Sequence, residues 1–293
     1  MDSPPLEKPS AIRHYLQVEI SRCILTPMEK TALHDRSVVI IGGTAGLGLS
    51  AAKACVQAGA RVIVTGRTGH DHSVAAGMLG SRARVIEADA KDPHSAVAAI
   101  EQAVAFAGGL DALYHVAGGS GRRMGDGPLH EITDEGWQET LNLNLTSMMN
   151  SSRAAVRYFL AAKRRGSILA MTSVLGYSPS SKYFATHAYA AAKSAVPGFI
   201  KACAGYYAPM NIRFNAIAPG LVDTPMAKRA AGDDAIVRFI KTKQPLDGGR
   251  VGLSEDLDAA VVFFLSDQSR FVTGQTLTVD GGWSVSEGQI PSV

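Results

Sequence analysis

Tyr189 and Lys193 stand one helical turn apart in the alanine-rich run Thr186 to Ala204, and at that spacing both side chains share one helix face. A phenol keeps its proton at neutral pH because its reference pKa is about 10, and an ammonium fixed one turn away favours the phenolate and lowers that value. Such a pair can give or take a proton near working pH, as the interconversion of a carbonyl and an alcohol requires. The same spacing equally describes an amphipathic helix with a snorkelling lysine. Two other residues bear on the choice. Ser173 ends the apolar run Ser167-Ile168-Leu169-Ala170-Met171-Thr172, and Asn144 lies near the middle of a helical stretch from about Glu135 to Lys163. Asparagine is an indifferent helix former, so a buried one usually bonds something specific.

The elements that must position these residues alternate between short apolar runs and helical patterns. Ser37 to Ile41 reads as a buried strand leading into Gly42-Gly43-Thr44-Ala45-Gly46-Leu47-Gly48 and a helix over Leu49 to Ala58. Glycines there allow a tight turn and close approach of a pyrophosphate, and the helix start offers free N–H groups. The second strand, Arg61 to Thr65, ends at Gly66-Arg67, about twenty residues past the glycine turn. A dinucleotide fold puts an acid there for NAD, or an arginine nearby for the 2′-phosphate of NADP. Gly66 at the acid position and Arg67 beside it read as a preference for NADP(H) over NAD(H), with an ordinary surface arginine as the plainer reading. Strands over Arg84–Ala88 and Asp111–Val116 flank a helix from about Pro93 to Phe106, and the fourth strand opens into Ala117-Gly118-Gly119 and a polar loop, Ser120 to Pro128. Arg122 or Arg123 in that loop could meet an acidic substrate or a cofactor phosphate, or simply be solvated. A sixth strand, Ile212 to Ala218, runs into Pro219-Gly220, residues 227–246 read as short helices forming a lid, and a helix near Glu255–Leu265 precedes the strand Thr276–Val279. Alternating strands and helices predict one α/β domain, a doubly wound (Rossmann) parallel sheet with helices on both faces, over residues 37–293. Residues 1–36 form an N-terminal extension whose segment Ala11 to Leu25 is either a short helix or a loosely held terminus.

Composition narrows the class. A 46% hydrophobic share with 30 glycines and 19% charged residues suits a buried parallel sheet with tight turns. The net charge of +3 is spread along 293 residues and gives no reason to expect nucleic acid or an anionic membrane surface. Three scattered cysteines fit neither a disulfide framework nor a metal site. No apolar run is long enough to span a bilayer and the first residues lack a signal-peptide pattern, so a soluble cytoplasmic protein is expected.

Taken together, these residues resemble the short-chain dehydrogenase/reductase family over nearly everything from Ser37 to Trp283. The family's glycine motif matches Gly42, Gly46 and Gly48. Its catalytic tetrad matches Asn144, Ser173, Tyr189 and Lys193, its proline-glycine turn matches Pro219-Gly220-Leu221-Val222-Asp223-Thr224, and its closing motif matches Thr273-Gly274-Gln275 and Asp280-Gly281-Gly282. The resemblance implies hydride transfer between a nicotinamide cofactor and a small carbonyl or alcohol substrate. Tyr189 would protonate the oxygen and Ser173 orient it, while Lys193 would lower the Tyr189 pKa and hold the nicotinamide ribose, and Asn144 would anchor a proton-passing water. Around the cofactor it implies Gly42, Thr44, Ala45, Gly46, Leu47 and Gly48 at the phosphates, Arg67, Asp89 and Ala90 at the adenosine, and Ala117 and Gly118 after the fourth strand. Tyr189, Lys193, Pro219, Gly220, Val222 and Thr224 would stand at the nicotinamide, with no metal. Enoyl reduction on the same frame, or a catalytically silent cofactor-binding regulator, are the alternatives. Helices bearing Asn144 and Tyr189 commonly form dimer faces within tetramers of the family. Four departures stand out. The loop between Ser173 and Tyr189 is a few residues longer than the family's, which is expected to reshape the substrate pocket around Tyr177, Tyr183 and His187. Ile41 replaces a threonine before the glycine turn. His115-Val116 replaces an asparagine pair, and His115 is expected to brace the sheet in its stead. Pro197 cannot donate to the Lys193 carbonyl, a defect of about 3 kcal/mol in an ordinary helix, so a kink or a compensating side-chain contact is expected.

Overall fold

A computed structural model describes residues 32–67 and 69–288, and the expected N-terminal helix lies outside the described residues. Seven strands form the sheet: β1 (Ser37–Ile41), β2 (Arg61–Gly66), β3 (Ala83–Glu87), β4 (Ala112–His115), β5 (Gly166–Met171), β6 (Ile212–Pro219) and β7 (Thr276–Val279). All pairs are parallel, in the order β3-β2-β1-β4-β5-β6-β7. Strand order reverses between β1 and β4, which opens a crevice at the carboxyl ends of the strands.

Both faces of the sheet are covered, and for that reason the central strands read as unbroken apolar runs rather than alternations. Val38 and Ile40 of β1 pack on one side against α1 (Gly46–Gln57) and, through Val261 and Phe264, α9 (Asp258–Leu265). Val39 and Ile41 pack on the other against α3 (Ser95–Ala107), α5 (Ser147–Ala161) and α6 (His187–Tyr207), represented by Ala99, Phe159 and Ile200. Each such side chain stabilises by roughly 1.5–3 kcal/mol on burial, so β1 is fixed from both sides. Leu33 is fully buried in the first layer, which means that the packed body begins before Ser37.

Two local features depart from the sequence reading, and a third decides between the two outcomes expected at Pro197. The stretch Glu135–Lys163 is not one uniform helix: α4 (Asp134–Leu141), capped by the Thr133 hydroxyl accepting from Gly136 N, passes through a π-helical turn at Asn142–Thr146 into α5. A helix α2 (Gly69–Leu79) stands between β2 and β3 where nothing in the spacing announces one, because its apolar residues form no clear stripe and Gly69 and Gly77 are poor helix formers. Finally, α6 runs unbroken through Pro197. The segment expected to form a lid is two helices, α7 (Lys228–Ala231) and α8 (Asp234–Lys243), the latter capped by Asp233.

Candidate active site

The glycine turn is a cradle that side chains could not share. An ideal Cβ on Gly48 would lie 2.0 Å from the Gly42 carbonyl oxygen, and one on Gly42 would lie 2.8 Å from the Ala117 backbone, so the ends of β1 and β4 touch through bare backbone. Ala45 stands before α1 in extended conformation with no side-chain cap and no acid in the first turn, leaving the helix start electropositive and its N–H groups available to an anion. Across the crevice, Thr224 stands beside Gly46, 3.5 Å from where its Cβ would be. Val222 pairs with Gly252 and turns its side chain into the core, so only its backbone can face a ligand. Gly220 follows β6 with its N–H on the Val279 carbonyl, and the Gln244 amide holds Leu221 at both backbone groups. These features fit a dinucleotide lying over the turn.

At the end of β2, a Cβ on Gly66 would fall 2.1 Å from the Thr44 hydroxyl. An acid at this position would have to displace Thr44. Arg67 is exposed beside it. Asp89 turns its carboxylate onto its own loop, accepting from Lys91 N at 2.9 Å, and Ala90 packs against the second core layer.

The tetrad assembles around Gly118. A Cβ there would meet Asn144 Oδ1 at 2.8 Å and Lys193 Nζ at 3.4 Å. Asn144 is buried in the π-helical turn, its Oδ1 accepting from Gly119 N and its Nδ2 donating to the Gly119 and Thr140 carbonyls. Both amide hydrogens are used, so the side chain could hold a water only through the remaining Oδ1 lone pair. Lys193 donates to the Met171 carbonyl at 2.9 Å and lies 5.6 Å from the centre of the Tyr189 ring. Its own pKa is pushed down to about 8 by burial.

One expectation is corrected here. Burial pushes the Tyr189 phenol up from its ordinary value, and the opposing pull comes from its hydrogen bond with Ser173 rather than from Lys193. Removing water from the phenolate outweighs the help available in this geometry.

His115 has a structural role as expected, but its ring ties β4 to helix α5 and makes no side-chain bond to a neighbouring strand. It is buried between the Ser147 and Ser151 hydroxyls, at 3.2 and 2.8 Å, and burial pushes it down to about 3, so it stays neutral. The question raised by Pro197 is answered by Thr172, whose hydroxyl donates to the Lys193 carbonyl at 2.6 Å and supplies the bond that the proline withholds.

Asp126 went unnoticed in the sequence. It is buried and comes from the polar loop after β4, yet its carboxylate accepts from Ala188 N at 2.9 Å and Tyr189 N at 3.0 Å, capping α6 at a separation of 62 and 63 residues. The only local signal is negative: Thr186, at the cap position, makes no side-chain bond. Of the loop residues expected near the pocket, Tyr183 packs at a tilt against Phe239 of α8, whereas Tyr177 bonds Thr278 at 2.7 Å.

A seven-stranded doubly wound sheet carrying a glycine cradle at its switch point defines a dinucleotide-fold protein, and the Asn–Ser–Tyr–Lys cluster beside the cradle narrows the class. The chain belongs to the short-chain dehydrogenase/reductase family of oxidoreductases, which bind nicotinamide cofactors. A family model described as enoyl-(acyl carrier protein) reductase matches residues 42–284. Momilactone A synthase of Oryza sativa subsp. japonica is 36% identical over 259 residues, covering 86% of this chain and 91% of the relative. The 3-oxoacyl-[acyl-carrier-protein] reductase FabG of Chlamydia trachomatis is 33% identical, covering 85% and 98%. A short-chain type dehydrogenase/reductase from Mycobacterium ulcerans superposes with a TM-score of 0.79 at 29% identity, covering 87% of this chain and 91% of that one.

Proposed function

We propose that the protein is an NADP(H)-dependent oxidoreductase that interconverts a carbonyl and a secondary alcohol on a small organic substrate. The observation that carries this reading is the convergence of Ser173, Tyr189, Lys193 and Asn144 beside the glycine cradle. The bound nicotinamide supplies or accepts the hydride. Ser173 orients the substrate oxygen by hydrogen bonding. Tyr189, its pKa raised by burial, remains a protonated phenol at neutral pH and is set to donate to that oxygen in the reductive direction. Lys193 lies 5.6 Å from the centre of the phenol ring, and with its pKa near 8 it can pass on a proton as the phenol is recharged.

The preference for NADP(H) is supported by Thr44 filling the space an acid at position 66 would need, and by exposed Arg67 at the same strand end. Tyr189→Phe is expected to reduce kcat by about 10²–10⁴ with NADPH binding retained, and Arg67→Ala to weaken NADPH but not NADH. Full turnover in Tyr189→Phe would remove the mechanism. The description attached to the matching family model favours enoyl reduction as the second reading. Product analysis on an enone decides, since the carbonyl reading yields the allylic alcohol and the enoyl reading the saturated ketone.

The same reading gives a catalytic domain over residues 37–293, an extension over residues 1–36, of which Leu33 is buried in the core, and a cytoplasmic homodimer or homotetramer. The exposed Tyr206 and Phe271 are apolar surface that a second copy could cover. A monomer mass by light scattering would overturn the assembly.

A further inference from the structure

Two arginines from distant parts of the chain meet at the backbone of Tyr183, in the loop between Ser173 and Tyr189. Arg122, in the loop after β4, and Arg229, on helix α7, each direct Nη2 at the carbonyl oxygen of Tyr183 from 3.4 Å. That distance is at the long end of hydrogen bonding, and a carbonyl dipole does not neutralise two full charges. Neither guanidinium has a carboxylate partner among the described residues. The nearest acid acting on Arg122 is Asp126, whose two oxygens are taken by the backbone of Ala188 and Tyr189. Lys182 adds a third cation, its Nζ 5.3 Å from the Tyr183 ring centre. Burial and repulsion from Arg229 both depress the Arg122 pKa. Two exposed like charges thus stand together, and the pull of Asp126 on Arg122 is outweighed by desolvation and by Arg229.

Its position relates it to the reacting centre. Tyr183 and Phe184 lie in the loop between Ser173 and Tyr189 and pack with Val174, Phe239 and Trp283 into an apolar cluster separate from the two core layers. Val174 directly follows Ser173, and Asp126, four residues beyond Arg122, holds the Tyr189 backbone. Tyr183 and Phe184, the half-buried members of that cluster, therefore offer apolar surface beside two planar guanidinium forks, whose shape suits bidentate recognition of an oxyanion.

We propose that Arg122 and Arg229 form an anion clamp, and that the preferred substrate carries its carbonyl or alcohol on an apolar body ending in a carboxylate or phosphate. The proposal rests on the hydride-transfer reading above and adds the substrate class to it. It is tested by NADPH-dependent reduction of 4-acetylbenzoate and 4-acetylphenyl phosphate against neutral 4-acetylbenzamide. The expected result is a kcat/KM for at least one anion about tenfold or more above the amide, with the phosphate arm separating the two oxyanions. That ratio should shrink as salt is raised and fall to about one in Arg122→Gln and Arg229→Gln. Turnover of all three ketones with no anion preference overturns the clamp and leaves the reductase reading standing. If none is reduced although NADPH binds, it is the reductase reading that fails. The clamp is then judged by calorimetry of unreactive 4-isopropylbenzoate against 4-isopropylbenzamide on the NADPH complex. Tighter binding of the acid, lost in both variants, supports it, and equal binding overturns it.

Discussion

The helix carrying Tyr189 and Lys193 and the helical stretch carrying Asn144 both depart from regular hydrogen bonding at a tetrad residue, but they satisfy the affected carbonyls in opposite ways. In α6 the defect is chemical: Pro197 has no N–H for the Lys193 carbonyl, and the replacement comes from outside the helix, from Thr172 at the end of β5. Between α4 and α5 the defect is geometric, a π-helical turn, and the replacement comes from inside, with Asn144 Nδ2 bonding the Thr140 carbonyl one turn back and Ser147 Oγ bonding that of Leu143. The difference shows what each helix is tied to. The α6 repair couples Lys193 to the strand that presents Ser173, whereas the π turn couples Asn144 to the Gly119 loop that ends β4. Two independent anchorages thus meet at Gly118.

Asn144→Ala should break the internal repair most severely. It leaves the Gly119 N–H and the Gly119 and Thr140 carbonyls without their partner, and at roughly 1–3 kcal/mol for each orphaned group a loss of about 4 kcal/mol in unfolding free energy is expected. Urea denaturation measures it, and a loss below about 1 kcal/mol would show that the turn does not depend on this side chain.

The next effect sharpens the contrast in charge, because α6 buries an ammonium and the π turn buries a neutral amide. Lys193 has a folded pKa of about 8 against 10.5 for the free group, so the unfolded chain holds more protons between these values and the burial cost is relieved as pH rises. Relative to Lys193→Met, the wild-type protein should gain about 3 kcal/mol of stability between pH 8 and pH 10.5, with no such gain between pH 6 and pH 7. Parallel stability curves for the two proteins across this range would contradict the buried charge.

The smallest effect tests the external repair. Thr172→Val keeps the shape of the side chain, removes the hydroxyl and leaves the Lys193 carbonyl orphaned, at a cost of about 2 kcal/mol. It is read as a shift in denaturation midpoint at unchanged slope. If the midpoint stays put, α6 satisfies that carbonyl by other means.

How much of this was legible in the chain depends on the distance over which each signal acts. The seven strands and the glycine turn were readable because an apolar run or a glycine cluster marks itself locally. Tyr189, Lys193, Ser173 and Asn144 were identifiable by type and order. A structural role for His115 could be expected because it stands where the resembled family has an asparagine, although its helix partners Ser147 and Ser151 could not be named in advance. By contrast, α2 lacks an apolar stripe and left no periodic trace. Asp126 caps a helix more than sixty residues away, and no local pattern connects the two.

By itself the sequence determined the order of the elements, the cradle and the identity of the reactive groups, since backbone freedom at glycine and side-chain chemistry are properties of single residues and short runs. Only the tertiary structure decided that Thr172 repairs α6, that burial raises the Tyr189 phenol instead of Lys193 lowering it, and that Arg122 and Arg229 share one carbonyl. Each of these depends on desolvation or on contact between residues remote in the chain, and such quantities exist only once the chain has folded.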